Sequence, residues 1–177
     1  MSKLSDIVTV SRRFQRSVRL DTDHAIEGAL QGYVCHGSSR QAMETMARLF
    51  QETGQRAFTW TGPYGGGKSS LALLLCQILG GSFQQNQDGL ELLGDIPCFH
   101  DAFPQEEEPW LVVPLVGRRA DPVSDLRDAV ADAVAREAKP ARTKRRQIDP
   151  AGRDIIERLV QEASPRPQPR VLLVLDE

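Results

Sequence analysis

The chain has 177 residues, 40% apolar and 26% charged, with 14 glycines and 11 prolines; this excludes a wholly disordered chain and is enough for one hydrophobic core. The longest apolar run, Leu71 to Cys76, is far below the roughly 18 residues of a membrane span. No apolar signal-peptide core follows the N-terminal charges, so a cytoplasmic protein with no membrane partner is expected. Lys and Arg number 22 against 24 Asp and Glu, a formal charge of -2 that gives no global field for nucleic acid. Cys35, Cys76 and Cys98 are odd in number and far apart, which fits buried or idle thiols rather than zinc pairs or a disulfide scaffold.

Residues 1–32 read as a polar N-terminal arm with a basic-aromatic cluster at Arg12, Arg13, Phe14 and Arg16. From Ser39 to Thr53 the positions Ala42, Met43, Met46, Ala47, Leu49 and Phe50 recur at helical spacing, with Gly54 as the expected C-cap. Arg56 to Thr61 reads as a short buried strand, and the glycine-rich stretch Gly62 to Gly67 follows it. Ser69 to Leu79 is apolar nearly all round and predicts a buried helix ended by Gly80 and Gly81. The segment Ser82 to Pro109 reads as an elaborated connection with one short helix.

Trp110 to Val116 predicts a second strand, with Pro114 pointing to a bulge or an edge. Asp121 and Pro122 suit the N-cap and first residue of a helix to about Ala138, whose face carries Val123, Leu126, Val130 and Val134. Asp149 and Pro150 repeat that start signal ahead of Ile155, Ile156, Leu159 and Val160. Ser164 to Arg170 is a proline-rich connector, and Val171 to Leu175 is a continuous apolar strand ending in Asp176 and Glu177. Strands alternating with helices predict an α/β fold with a mainly parallel sheet.

Gly62-Pro63-Tyr64-Gly65-Gly66-Gly67-Lys68-Ser69 satisfies G-x-x-x-x-G-K-[ST] between a predicted strand and a predicted helix. Such a loop curls successive backbone N–H groups around phosphate oxygens, which excludes side chains and demands positive φ where the glycines stand. The following helix adds unpaired N–H groups and the positive end of its dipole; Lys68 reaches β- and γ-phosphates, and Ser69 ligates magnesium. Tyr64 could contact a nucleotide or cap the loop from outside. At the other end of the chain the predicted strand delivers Asp176 to the sheet edge where ligands bind, positioned to hold magnesium, with Glu177 placed to polarise a water for in-line attack.

Together GPYGGGKS and VLLVLDE resemble the Walker A and Walker B motifs of P-loop NTPases, in particular the additional-strand branch with a glutamate beside the Walker B aspartate, as in AAA+ and STAND-type ATPases. The resemblance covers about residues 33 to 177. It implies a three-layer P-loop NTPase fold with the sheet incomplete at the C-terminal end, residues 33–177 forming the first part of an ATPase domain. It also implies ATP and Mg2+ as cofactors. The nucleotide-contacting set is then Gly62, Pro63, Tyr64, Gly65, Gly66, Gly67, Lys68, Ser69 and Ser70; the metal set is Ser69 and Asp176, and Lys68 and Glu177 are catalytic. Tyr33, Val34 and Arg40 loosely resemble the segment that contacts adenine in those families.

About 106 residues separate Ser69 from Asp176, so the fold is expected to be decorated. The chain ends at Glu177, before the sensor strand, arginine finger and lid of the family, so it reads as a fragment without turnover of its own. Assembly into a homo-oligomer or larger complex would use that later part.

The expected function is an ATP-binding module of a Mg2+-dependent ATPase coupling nucleotide to conformational change or assembly, in bacterial defence or nucleic-acid transactions by resemblance. The alternatives are a nucleotide-gated scaffold with little hydrolysis and a divergent helicase-type motor. Small-molecule phosphoryl transfer would not need Glu177, and no LSGGQ-like signature precedes the acidic strand. The basic stretch Arg136, Lys139, Arg142, Lys144, Arg145 and Arg146 has no interleaved aromatic residues and reads as a solvated linker rather than a nucleic-acid platform. Arg118 and Arg119 read as surface ion-pair residues. His24, His36 and His100 lack ligand-like spacing, and Met43 and Met46 read as core.

Overall fold

The structure is a computed structural model and describes residues 17–104, 109–117, 121–137 and 170–176. Its elements in order are α1 (Leu20–Asp23), α2 (Gly37–Thr53), α3 (Lys68–Gly80), α4 (Phe83–Leu93), α5 (Pro97–Ala102), β1 (Leu111–Val116), α6 (Pro122–Glu137) and β2 (Val171–Asp176). β1 and β2 pair in parallel, from Leu111 opposite Val171 to Val116 opposite Asp176. The architecture is therefore mixed helix and strand around a small parallel sheet. No helix among the described residues is long and apolar enough to cross a membrane.

Strand alternation sends the two faces of this sheet to different helices. Val112, Leu172 and Val174 belong to the large core with α3, while Leu111, Val113 and Val171 pack with Val130 and Ala133 of α6. All residues from Leu71 to Leu79 are buried, because α3 meets β1, β2, α1 and α4 on successive sides of its circumference. Gly80 allows the closest approach: a Cβ there would collide with the Val112 side chain and lie 2.9 Å from the Trp110 carbonyl oxygen. At that same junction the Trp110 N–H donates to the Leu79 carbonyl at 2.8 Å.

Helix α2 matches its expected span and stops at Gly54, whose φ of 72° is the left-handed conformation that glycine takes without a Cβ penalty. Met43, Met46 and Ala47 are buried as expected. Phe103 joins α2 to α5 and β1 through ring contacts with Phe50 (4.8 Å), Phe99 (4.9 Å) and Trp110 (5.7 Å). Asp121 caps α6, its carboxylate accepting from the N–H groups of Val123 and Ser124.

Two expectations are corrected. The stretch from Ser82 contains two helices rather than one, and the signal for α4 is the reciprocal capping pair Ser82 and Gln85: the Ser82 hydroxyl accepts from the Gln85 N–H while the Gln85 side chain accepts from the Ser82 N–H. Arg56–Thr61 is not a buried strand. It runs without regular structure, Phe58 and Trp60 half-buried and Thr59 and Thr61 exposed, and no strand among the described residues hydrogen-bonds to it to make a ladder.

Pro114 sits in an uninterrupted register on an edge strand, with no bulge. Residues 18–33 send Leu20 and Leu30 into the core of α3, and the Ile26 carbonyl accepts from the buried side chains of Gln77 (3.2 Å) and Gln85 (3.3 Å). The helix expected after Pro150, the connector from Ser164, the basic cluster at Arg12–Arg16, the basic residues from Lys139 to Arg146, Arg118, Arg119 and Glu177 lie outside the described residues.

Candidate functional site

The glycine loop lies between the end of the irregular stretch and the first turn of α3. Gly65 and Gly67 have φ of 76° and 78°, left-handed conformations that explain the residue type at both positions. At Gly66 the constraint is space: its N–H donates to the Pro63 carbonyl at 3.1 Å, and a Cβ would stand 3.0 Å from that same oxygen. The loop therefore turns back on itself and then enters α3 through Gly67, whose carbonyl accepts the Leu71 N–H at 2.9 Å.

The backbone N–H groups of Gly65, Gly67, Lys68, Ser69 and Ser70 donate to no described group. They form a run of unsatisfied donors at the positive end of a 13-residue helix. Lys68 folds over this loop, its Nζ donating to the carbonyls of Gly62 (3.1 Å) and Pro63 (3.2 Å). Tyr64 stands at the tip with 99% of its surface exposed, so it covers no described residue.

Ser69 Oγ donates to Asp176 Oδ1 at 3.1 Å across a sequence separation of 107. Two elements bring them together: α3 carries Ser69 on its first turn, and β2, packed against α3, ends at Asp176. The Gly117 N–H fixes the end of that strand by donating to the Asp176 carbonyl at 2.6 Å. Beneath them the Cys76 thiol is pushed up to about 12 by burial and by the charge of Asp176, so it stays protonated. The two oxygens facing each other are hard ligands of the type magnesium takes, and magnesium keeps several waters and needs few protein ligands when phosphates supply others. Among the described residues no group of three His, Cys, Asp or Glu side chains forms a denser metal site.

Of the residues expected to act together, Gly62 through Ser70 and Asp176 thus converge on one end of α3. Tyr33, Val34 and Arg40 share no hydrogen bond with the loop. The Tyr33 hydroxyl is buried near Ser39 and Cys35 with no hydrogen bond of good geometry among the described residues, Val34 is exposed, and Arg40 is spent on bracing the turn after α4 through the Asp95 carbonyl at 3.1 Å. Sequence reasoning did not find the self-contacts of Lys68 with Gly62 and Pro63, for which the motif gives no signal. No protein-family model, curated protein or solved structure matches the chain.

Proposed function

We propose that this chain is a nucleoside-triphosphate-binding module of the P-loop ATPase type, in which ATP and Mg2+ occupy the end of α3. The observation that carries the reading is the hydrogen bond from Ser69 to Asp176, because it sets the hydroxyl that follows the glycine-lysine loop beside the carboxylate at the strand end, close enough for both to serve one cation. In this reading the free N–H groups of Gly65 and Gly67 through Ser70 take phosphate oxygens, and Lys68 exchanges its carbonyl partners for the β- and γ-phosphates. Ser69 and Asp176 hold magnesium directly or through its waters. When bound there, magnesium would supply charge neutralisation of the phosphates, and Glu177, the next residue after β2 in the sequence, would orient the attacking water. The finer fold expectation, a three-layer P-loop NTPase, belongs to the same proposal, as does coupling to conformational change or assembly.

The test is calorimetric titration of ATP with magnesium into the 177-residue chain, set beside Lys68→Ala and Asp176→Asn. Binding that Lys68→Ala abolishes and Asp176→Asn makes independent of magnesium supports the reading. A folded wild-type chain that takes no ATP, or binds it equally well in Lys68→Ala, overturns it. Hydrolysis is a separate measurement: Glu177→Gln should retain ATP and lose turnover in any form of the protein that turns over.

A further inference from the structure

At the opposite end of α3 a second cavity, of about 230 Å3, opens between the turn after α1, the starts of α4 and β1, and the last turn of α6. Gly80 lines it, twelve residues along α3 from Lys68, which places it about 18 Å from the glycine loop. Its polar lining is His24, Gln85 and Arg136, and no described carboxylate lines it. Gln85 is already committed, its amide donating to the carbonyls of His24 and Ile26 and its oxygen accepting from Ser82. His24 holds the Leu20 carbonyl at 2.7 Å through Nδ1, which leaves Nε2 as its remaining ring nitrogen.

Arg136 makes no hydrogen bond and no ion pair within 4 Å with a described residue; partial burial lowers its pKa, and the field of Asp132, one turn back on α6, opposes that shift. The guanidinium, a fork of five donors that cannot shed its charge, therefore faces a small void beside an imidazole. Arg136 is exposed as a residue and only in part shielded from water, and a guanidinium in that position is satisfied best by a charge-assisted, bidentate acceptor.

We propose that this cavity is a second ligand site, taking a small oxyanion of the phosphate or carboxylate class between Arg136 and His24. The ligand presents two oxygens to the guanidinium and a third to Nε2 of His24 in its protonated form. The charges around that ring are Asp21 and Asp23 of α1 and Arg136 of α6. Burial and Arg136 hold the imidazole pKa below its ordinary 6.5, against the opposing pull of the two aspartates. An anion placed between the two cations reverses the arginine's effect, so occupancy raises the histidine pKa and binding tightens as pH falls.

The experiment is titration of inorganic phosphate into the 177-residue chain at constant ionic strength, following the ring resonances of His24, His36 and His100. The expected result is a saturable shift of His24 alone, with its pKa raised at saturation. Arg136→Gln should weaken the binding about tenfold or more, the size of effect expected for losing charge-assisted hydrogen bonds. Arg136→Lys should recover part of it, and Lys68→Ala should leave it unchanged. A cooperative urea transition for each variant reports that it is folded, and the exposed His36 and His100 rings serve as internal references for non-specific shifts. A shift shared by all three histidines, one that fails to saturate, one that survives Arg136→Gln, or one lost with Lys68→Ala overturns the proposal. The last outcome would assign the phosphate to the glycine loop, and the ATP titration above stands or falls independently.

Discussion

Ser69 and Asp176 show how a single pair joins distant parts of this chain: a hydroxyl on the first turn of α3 reaches a carboxylate at the end of β2. A half-buried hydrogen bond to a charged acceptor contributes about 1.5 to 3 kcal/mol. Ser69→Ala should therefore lower the unfolding free energy by up to that amount without nucleotide, read by urea denaturation. Cys76 lies close enough to feel the same aspartate, and its thiol pKa of about 12 exceeds the ordinary 9.0. In the unfolded chain the thiol ionises first, so the folded form loses stability as pH rises from about 9 towards 12. Denaturation at pH 7 and pH 10 should show this loss, and Cys76→Ala should flatten it. Cys76 should also resist alkylation until the protein unfolds, because the thiolate is the reactive species. For His24 the sign is opposite. Its folded pKa is below 6.5, so the unfolded chain takes the proton first and stability falls as pH drops below 6.5, an effect His24→Gln should remove.

Among the elements, α3 is the one on which the molecule is assembled, and its exit shows why small residues stand there. Gly80→Ala would drive a methyl into the Val112 side chain and the Trp110 carbonyl. Overpacking of this kind costs about 1 to 3 kcal/mol, and the thermal midpoint should fall accordingly. The start of α4 rests on a different device. Ser82→Ala deletes one half of the capping pair and should cost about 1 kcal/mol, measured in the same assay. The alternation of Phe58 and Trp60 with Thr59 and Thr61 is strand-like, yet the stretch forms no ladder, since a strand exists only through its neighbour and local propensity cannot supply one.

At the scale of the molecule the consequence, among the described residues, is a sheet of two strands whose edges differ. β1 carries Pro114, which removes one donor from its backbone, and its first four residues are buried. β2 carries no proline and no charge before Asp176, and it exposes Leu173 (40%) and Leu175 (69%). Among the described residues no strand pairs with the outer edge of β2, and such an edge beside exposed leucines is prone to self-association. Leu175→Lys should reduce concentration-dependent association, followed by light scattering, while changing the unfolding free energy little because the side chain is mostly in water. If association is unchanged, this edge is not its source.

The amino-acid sequence by itself determined the local features: the spans of α2, α3, β1, α6 and β2 to within a residue or two, the Gly54 and Asp121 caps, and the glycine loop at the start of α3. Each of these depends on residues within a few positions of one another, through helical spacing, capping hydrogen bonds or the positive φ that only glycine takes freely. Both halves of the candidate site were also legible as motifs. Their meeting was implied only by the resemblance to P-loop NTPases, which puts both on one magnesium ion; no local pattern encodes it, because the Ser69 to Asp176 contact depends on β2 packing beside α3 across more than a hundred residues. Tertiary structure alone also decided that Arg56–Thr61 is unpaired, that Lys68 rests on the carbonyls of Gly62 and Pro63, and that His24 and Arg136 share a cavity. Those outcomes depend on which surfaces approach one another in space, and no spacing along the chain encodes that approach.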